Sequence, residues 1–134
     1  MNTQTLLARC GNTDDHARNH AALWDRRDLT LTPAYDICPQ TRAGGEAIHA
    51  MLIIGNERLN KIAVCLKAAP SFLLSGDEAF ALAERQVKVM TDRWAAVCAE
   101  AKRTEVDRNL LWRRQFLNDF AFEGAPPTLV RAET

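Results

Sequence analysis

Several classes of protein are excluded by what this 134-residue chain lacks. It has no surplus of either charge: seventeen Lys and Arg balance seventeen Asp and Glu. No global field therefore draws it to nucleic acid or to an anionic membrane surface. Its apolar runs, such as Ala50 to Ile54 and Ile62 to Leu66, fall well short of the roughly 20 residues that a helix needs to span a bilayer. The opening "MNTQTLLARC" has neither the basic start nor the apolar core of a secretory signal. The four cysteines, Cys10, Cys38, Cys65 and Cys98, form no C-x-x-C pair, which removes the common zinc and redox motifs and leaves reduced thiols as the expectation. Cys65 and Cys98 are expected to be packed as small hydrophobes; Cys10 and Cys38, beside the polar segments, are expected to be buried too, with a reactive thiol as the alternative. Internal repeats and low-complexity tracts are also absent. The expectation is a cytoplasmic protein with no membrane contact and no direct nucleic-acid binding.

What remains is enough for one domain with a buried core. Thr5 to Cys10 reads as the end of a helix stopped by Gly11. "HAALWD" and "LTLTPAYD" read as two short strands joined at Arg26-Arg27-Asp28, because Leu29 and Leu31 alternate with Thr30 and Thr32. "CPQTRAGGE" is a loop, and periodicity leaves "AIHAMLIIGNER" open between strand and short helix, with a turn at Gly55-Asn56. Asn60 is placed to cap a helix with Ile62, Cys65, Leu66 and Ala69 on its apolar face, closed by Pro70. Ser75 and Glu78 form a capping box for a long helix whose stripe is Phe80, Ala83, Val87, Met90, Trp94, Val97 and Ala101. A last helix begins at Thr104, with Asp107 in the box position, and runs to about Phe120. The Pro-rich tail "EGAPPTLVRAET" is expected to fray, with docking through Leu129 and Val130 as the alternative.

Against this apolar background "GNTDDHARN", Gly11 to Asn19, is conspicuously polar. Such a segment is most often a solvated, internally hydrogen-bonded turn. A second reading is a transition-metal site on His16 and His20, four apart, although an extended chain would hold them too far apart to chelate one ion easily. The third is phosphoryl transfer. Asp14 and Asn19 stand in the pattern D-x-x-x-x-N, the spacing at which kinase catalytic loops place a base and a magnesium ligand. Such chemistry needs a carboxylate to accept the hydroxyl proton, and an amide and a second carboxylate as hard oxygen ligands. Asp14, Asn19 and Asp36 supply that set, and the hairpin would bring Asp36 back beside the loop.

"TDDHARN" followed by "PAYDI" resembles the catalytic and metal-binding segments of the HipA family, the serine/threonine kinase toxins of bacterial toxin–antitoxin pairs. The first motif is similar to the family's TDxHxKN and the second to its counterpart of the kinase DFG segment. The resemblance implies that Asp14 is the catalytic base and that His16 takes the place of the loop histidine, bracing the catalytic loop. It makes Asn19 and Asp36 the magnesium ligands. Arg18 stands where lysine is common, and a planar guanidinium is not equivalent to an ammonium beside a phosphate. Asp15 is a local rival for the base, and the five-residue spacing to Asn19 favours Asp14.

The resemblance further implies ATP as co-substrate, a protein substrate and a HipB-like helix-turn-helix antitoxin as partner. The fold it implies is mainly α-helical within an α+β class, the C-terminal lobe of a protein-kinase-like fold, with a small β-hairpin carrying the active-site loop, over residues 1–134. No Gly-rich phosphate loop occurs, since Gly44-Gly45 is an isolated pair, and no lysine lies in a V-A-I-K setting. The family carries those parts in an N-terminal lobe. The expectation is a C-terminal lobe inactive by itself, or alternatively an orphan lobe or truncated remnant serving as an interaction module.

Overall fold

The computed structural model describes residues 11–39 and 46–129. The expected hairpin is present: β1 (Ala22–Trp24) pairs antiparallel with β2 (Leu29–Leu31), with Ala22 opposite Leu31, Leu23 opposite Thr30 and Trp24 opposite Leu29. Its turn is closed by Asp25, whose carboxylate accepts from the backbone N–H groups of Asp28 at 2.7 Å and Arg27 at 2.9 Å. Those two donors hold the Asp25 carboxyl below its ordinary value. Arg26 adopts φ 81°, the left-handed conformation that such a tight reversal requires. Strand alternation puts Ala22, Trp24, Leu29 and Leu31 on one face, and it is open to solvent: Trp24 is 60% and Leu31 77% exposed.

Residues 47–60 resolve the strand-or-helix ambiguity in favour of extended chain. The segment folds back on itself through His49 N–H to Arg58 C=O at 2.7 Å, Ile53 N–H to Glu57 C=O at 2.8 Å and Asn60 N–H to Ala47 C=O at 2.9 Å. Gly55, at φ 52°, sits at its tip. Helix α1 (Ile62–Lys67) follows, and its N-cap is Lys61, which makes no side-chain cap. Asn60 is therefore not the expected cap. Its amide is buried and donates to the Asn12 carbonyl at 3.5 Å, a tie between the helical body and the polar loop. Ile62, Cys65 and Ala69 are buried as the apolar pattern requires, and Pro70 opens a 3-10 turn over Ala69–Phe72 that ends the helical path.

Helix α2 (Gly76–Glu100) starts at the predicted capping box, and α3 (Glu105–Leu111) starts at the Thr104–Asp107 box. Both acids are held below their ordinary pKa. For Glu78 the Ser75 backbone N–H contributes most and its hydroxyl next; for Asp107 the order is the Thr104 hydroxyl, then its N–H. A depressed folded-state pKa means that this support is complete above the unfolded values, 4.5 for Glu78 and 3.8 for Asp107, and is lost as pH falls through the folded ones. In an NMR titration, the Glu78 carboxyl should titrate below pH 4.5 and move upward in Ser75→Ala. An unchanged midpoint would remove the box from the account of how α2 begins.

Two departures from the sequence pattern concern the C-terminal part. On α2 the buried stripe runs through Ala83 and Val87 but finishes on Cys98, four residues after Trp94, while Val97 and Ala101 are exposed. The last helix does not reach Phe120. It stops at Leu111, the chain extends at Trp112 and turns left-handed at Arg113 (φ 63°), and a short helix α4 (Asp119–Phe122) restarts with Asn118 as cap. Across the break, Trp112 and Phe116 both meet Trp94, with ring centroids 5.0 and 5.1 Å away. Leu117, at φ 50°, is buried just before α4 restarts.

The main core joins Ile62, Ala83, Val87, Leu117 and Leu129, so the tail does dock through Leu129. Val130 and the stub helix before Gly11 lie outside the described residues. A second cluster of Ile53, Val64 and Ala68 seats the extended segment on α1. Cys65 and Cys98 are buried as expected, whereas Cys38 is exposed, and Cys10 lies outside the described residues. Among the described residues no helix is long and apolar enough to cross a membrane.

Candidate active site

Gly11, at φ 67°, turns the chain into the polar loop. Asn12 then acts as its hub. It is buried, its Oδ1 accepts the Asp14 N–H at 3.0 Å, and its Nδ2 donates to the Asp36 carbonyl at 3.1 Å. The Thr13 carbonyl accepts from Ala50 N–H at 3.0 Å, which fixes the loop to the extended segment. Each such bond contributes about 0.5–1.5 kcal/mol net, so several must act together to hold a loop this polar.

The two acids treated as rivals occupy different environments. The Asp14 carboxylate is at the surface. Asp15 is 3% exposed and its Oδ1 lies 2.9 Å from His20 Nε2. That hydrogen bond joins the middle of the loop to its far end. His16 is the N-cap of a 3-10 turn over Ala17–Asn19, its carbonyl accepting the Asn19 N–H at 2.9 Å. Its ring Nδ1 is buried with no hydrogen-bond partner among the described residues. His16 thus shapes the turn through its backbone. The paired-histidine metal reading gains nothing, because the His20 Nε2 faces Asp15 and no group of three His, Cys, Asp or Glu among the described residues could hold a metal ion.

Asn19 is buried, and its Nδ2 donates to Asp36 Oδ2 at 2.8 Å across seventeen residues of chain. The hairpin makes that meeting possible by returning the chain, and Tyr35 O–H locks the return by donating to the Arg18 carbonyl at 2.6 Å. Asp36 adopts φ 55°, a left-handed conformation that costs an aspartate energy and persists only where surroundings impose it. Two of those constraints are visible: Asn12 on its carbonyl and Asn19 on its carboxylate.

Asp14, Asn19 and Asp36 are therefore carried by two segments stitched to each other. Sequence reasoning missed Asn12 and Asn60, the residues that do much of the stitching. The signal for Asn12 was its place after Gly11, where an amide commonly bonds the backbone two residues on. No local signal marked Asn60, whose role depends on a partner 48 residues away.

A helical body carrying a hairpin and a polar two-segment site defines a mixed α+β domain. The family model for the HipA-like C-terminal domain matches residues 1–104, and the chain belongs to that family. The match spans the polar loop, the hairpin, α1 and α2, and stops at the cap of α3. No curated protein and no solved structure gives a match to this chain.

Proposed function

We propose that this chain carries the base and the metal ligands of a HipA-type toxin kinase, which transfers the γ-phosphate of ATP to a serine or threonine of a protein. The observation that supports this most is the Asn19–Asp36 contact, with a surface carboxylate, Asp14, on the same loop. Magnesium suits the donor set. Asn19 and Asp36 carry hard oxygens on side chains that touch at 2.8 Å; Asn19 faces Asp36 with Nδ2 there, so its amide would turn over to offer Oδ1 to the ion. When bound, the ion would neutralise the phosphate oxygens.

In this reading Asp14 accepts the proton of the acceptor hydroxyl as it attacks, a role that calls for a carboxylate reachable by substrate. Asp15, buried on His20, is denied that access and instead secures the loop. Asn12 acts on positioning. By binding the Asp14 backbone and the Asp36 carbonyl together, it sets the separation between base and metal ligand. Arg18, exposed on the same turn, presents its guanidinium fork to a phosphate oxygen pair.

The exposed apolar face of the hairpin favours a second reading, an inactive lobe that binds a partner such as a helix-turn-helix antitoxin. Metal binding tests the first. Two protein oxygens are a minority of magnesium's six positions, so calorimetry should find weak binding of the ion alone, strengthened by ATP and lost in Asp36→Ala. Tight binding that survives Asp36→Ala would overturn the role given to that residue.

A further inference from the structure

Toward the C-terminal end of α2, where the break after α3 folds back, lies a cavity of about 440 Å³ lined by Trp94, Glu105, Arg108, Asn109, Trp112 and Arg113. That volume falls in the roughly 300–1,000 Å³ range of small-ligand sites. None of its lining residues belongs to the candidate active site, and all but Trp94 lie beyond the residues matched to the family.

Three features define its chemistry. Two guanidinium groups face one carboxylate, so the lining is net cationic. Neither Arg108 nor Arg113 forms an ion pair with Glu105 or with any other acid among the described residues. An oxyanion is the partner a guanidinium fork fits best. Trp94 and Trp112 supply an aromatic wall, held by their mutual contact at 5.0 Å.

The geometry points to this cavity as a binding site for an oxyanion, phosphate or carboxylate, carried on a flat or apolar body. The oxyanion satisfies the Arg108 and Arg113 donors, with Asn109 adding an amide, and the body lies on the indole wall. Glu105 opposes the anion and tempers its affinity. The site is independent of the kinase reading, since none of its residues is used there.

Indole emission tests it directly. In a Trp24→Phe background only Trp94 and Trp112 emit, and both line the cavity. Titration with phenyl phosphate should give a saturable change, and phenylacetate the same change; whichever binds more tightly names the oxyanion, and two guanidinium groups favour the phosphate. Arg108→Gln should weaken binding about tenfold or more, the loss of a charged hydrogen bond. Glu105→Gln should tighten it severalfold, an effect that partial unfolding cannot imitate. No saturable change with either anion, equal binding of uncharged phenol, or affinities untouched by both substitutions would overturn the proposal.

Discussion

Joined to a lobe that grips the nucleotide, Asp14→Asn is expected to lose about 10²–10⁴ of the phosphoryl-transfer rate, the usual contribution of a general base. It should melt at the same temperature as the parent. The amide keeps the shape of the side chain and loses only the proton acceptor, and the Asp14 backbone N–H still reaches Asn12. Surface substitutions of this kind change stability by about 0.5 kcal/mol or less. Asp15→Asn is the control. Its oxygen can still accept from His20, so the loop should hold and activity should fall far less. A kinase assay with thermal melts on both variants separates the two acids. The reverse order of activities would make Asp15 the base, despite its burial.

Ile62→Ala should have the largest effect on stability. Ile62 is fully buried at the first position of α1, in the cluster that also holds Ala83, Val87, Leu117 and Leu129, so no neighbour can be replaced by water without opening the core. Truncating such a side chain costs about 2–5 kcal/mol, a large part of the roughly 5–15 kcal/mol that holds a domain together. For a chain of this size that corresponds to a fall in Tm of roughly 10–20 °C. Val106→Ala, at an exposed position on α3, should change it little. A drop of less than about 1 kcal/mol for Ile62→Ala, measured by denaturant unfolding, would mean that the joint between α1 and α2 is not the centre of the fold.

The parts of this architecture that were legible in the sequence are those governed by local chemistry. Ser75 with Glu78 and Thr104 with Asp107 fix two helix starts, because each box closes within four residues. Leu29 to Thr32 announced a strand by alternation, and the D-x-x-x-x-N spacing with a later acid drew attention to Asp14, Asn19 and Asp36 before any contact was known. Misreadings arose where distant partners decide. Asn60 looked like a cap but is held by Asn12, and the last helix, which no Gly or Pro interrupts between Thr104 and Phe120, is broken after Leu111. The exposure of Cys38 was equally hidden, since it depends on how the folded chain lies around that residue and not on its neighbours in sequence.

The contrast between a readable local pattern and an unread long-range one also bears on function. The sequence has no Gly-rich loop to hold the β- and γ-phosphates, and positioning of that kind accounts for about 7–11 kcal/mol of a reaction barrier. Phosphoryl transfer from ATP is therefore the measurement that tests the account most directly, made on the 134-residue chain alone and again with a HipA-type N-terminal lobe supplied by fusion or in trans. The account predicts no transfer by the chain alone, and magnesium-dependent transfer to a serine or threonine once the lobe is supplied. A folded, assembled pair that binds ATP and magnesium yet transfers nothing would contradict it, and would leave the Asn19–Asp36 contact as a structural staple of an interaction module.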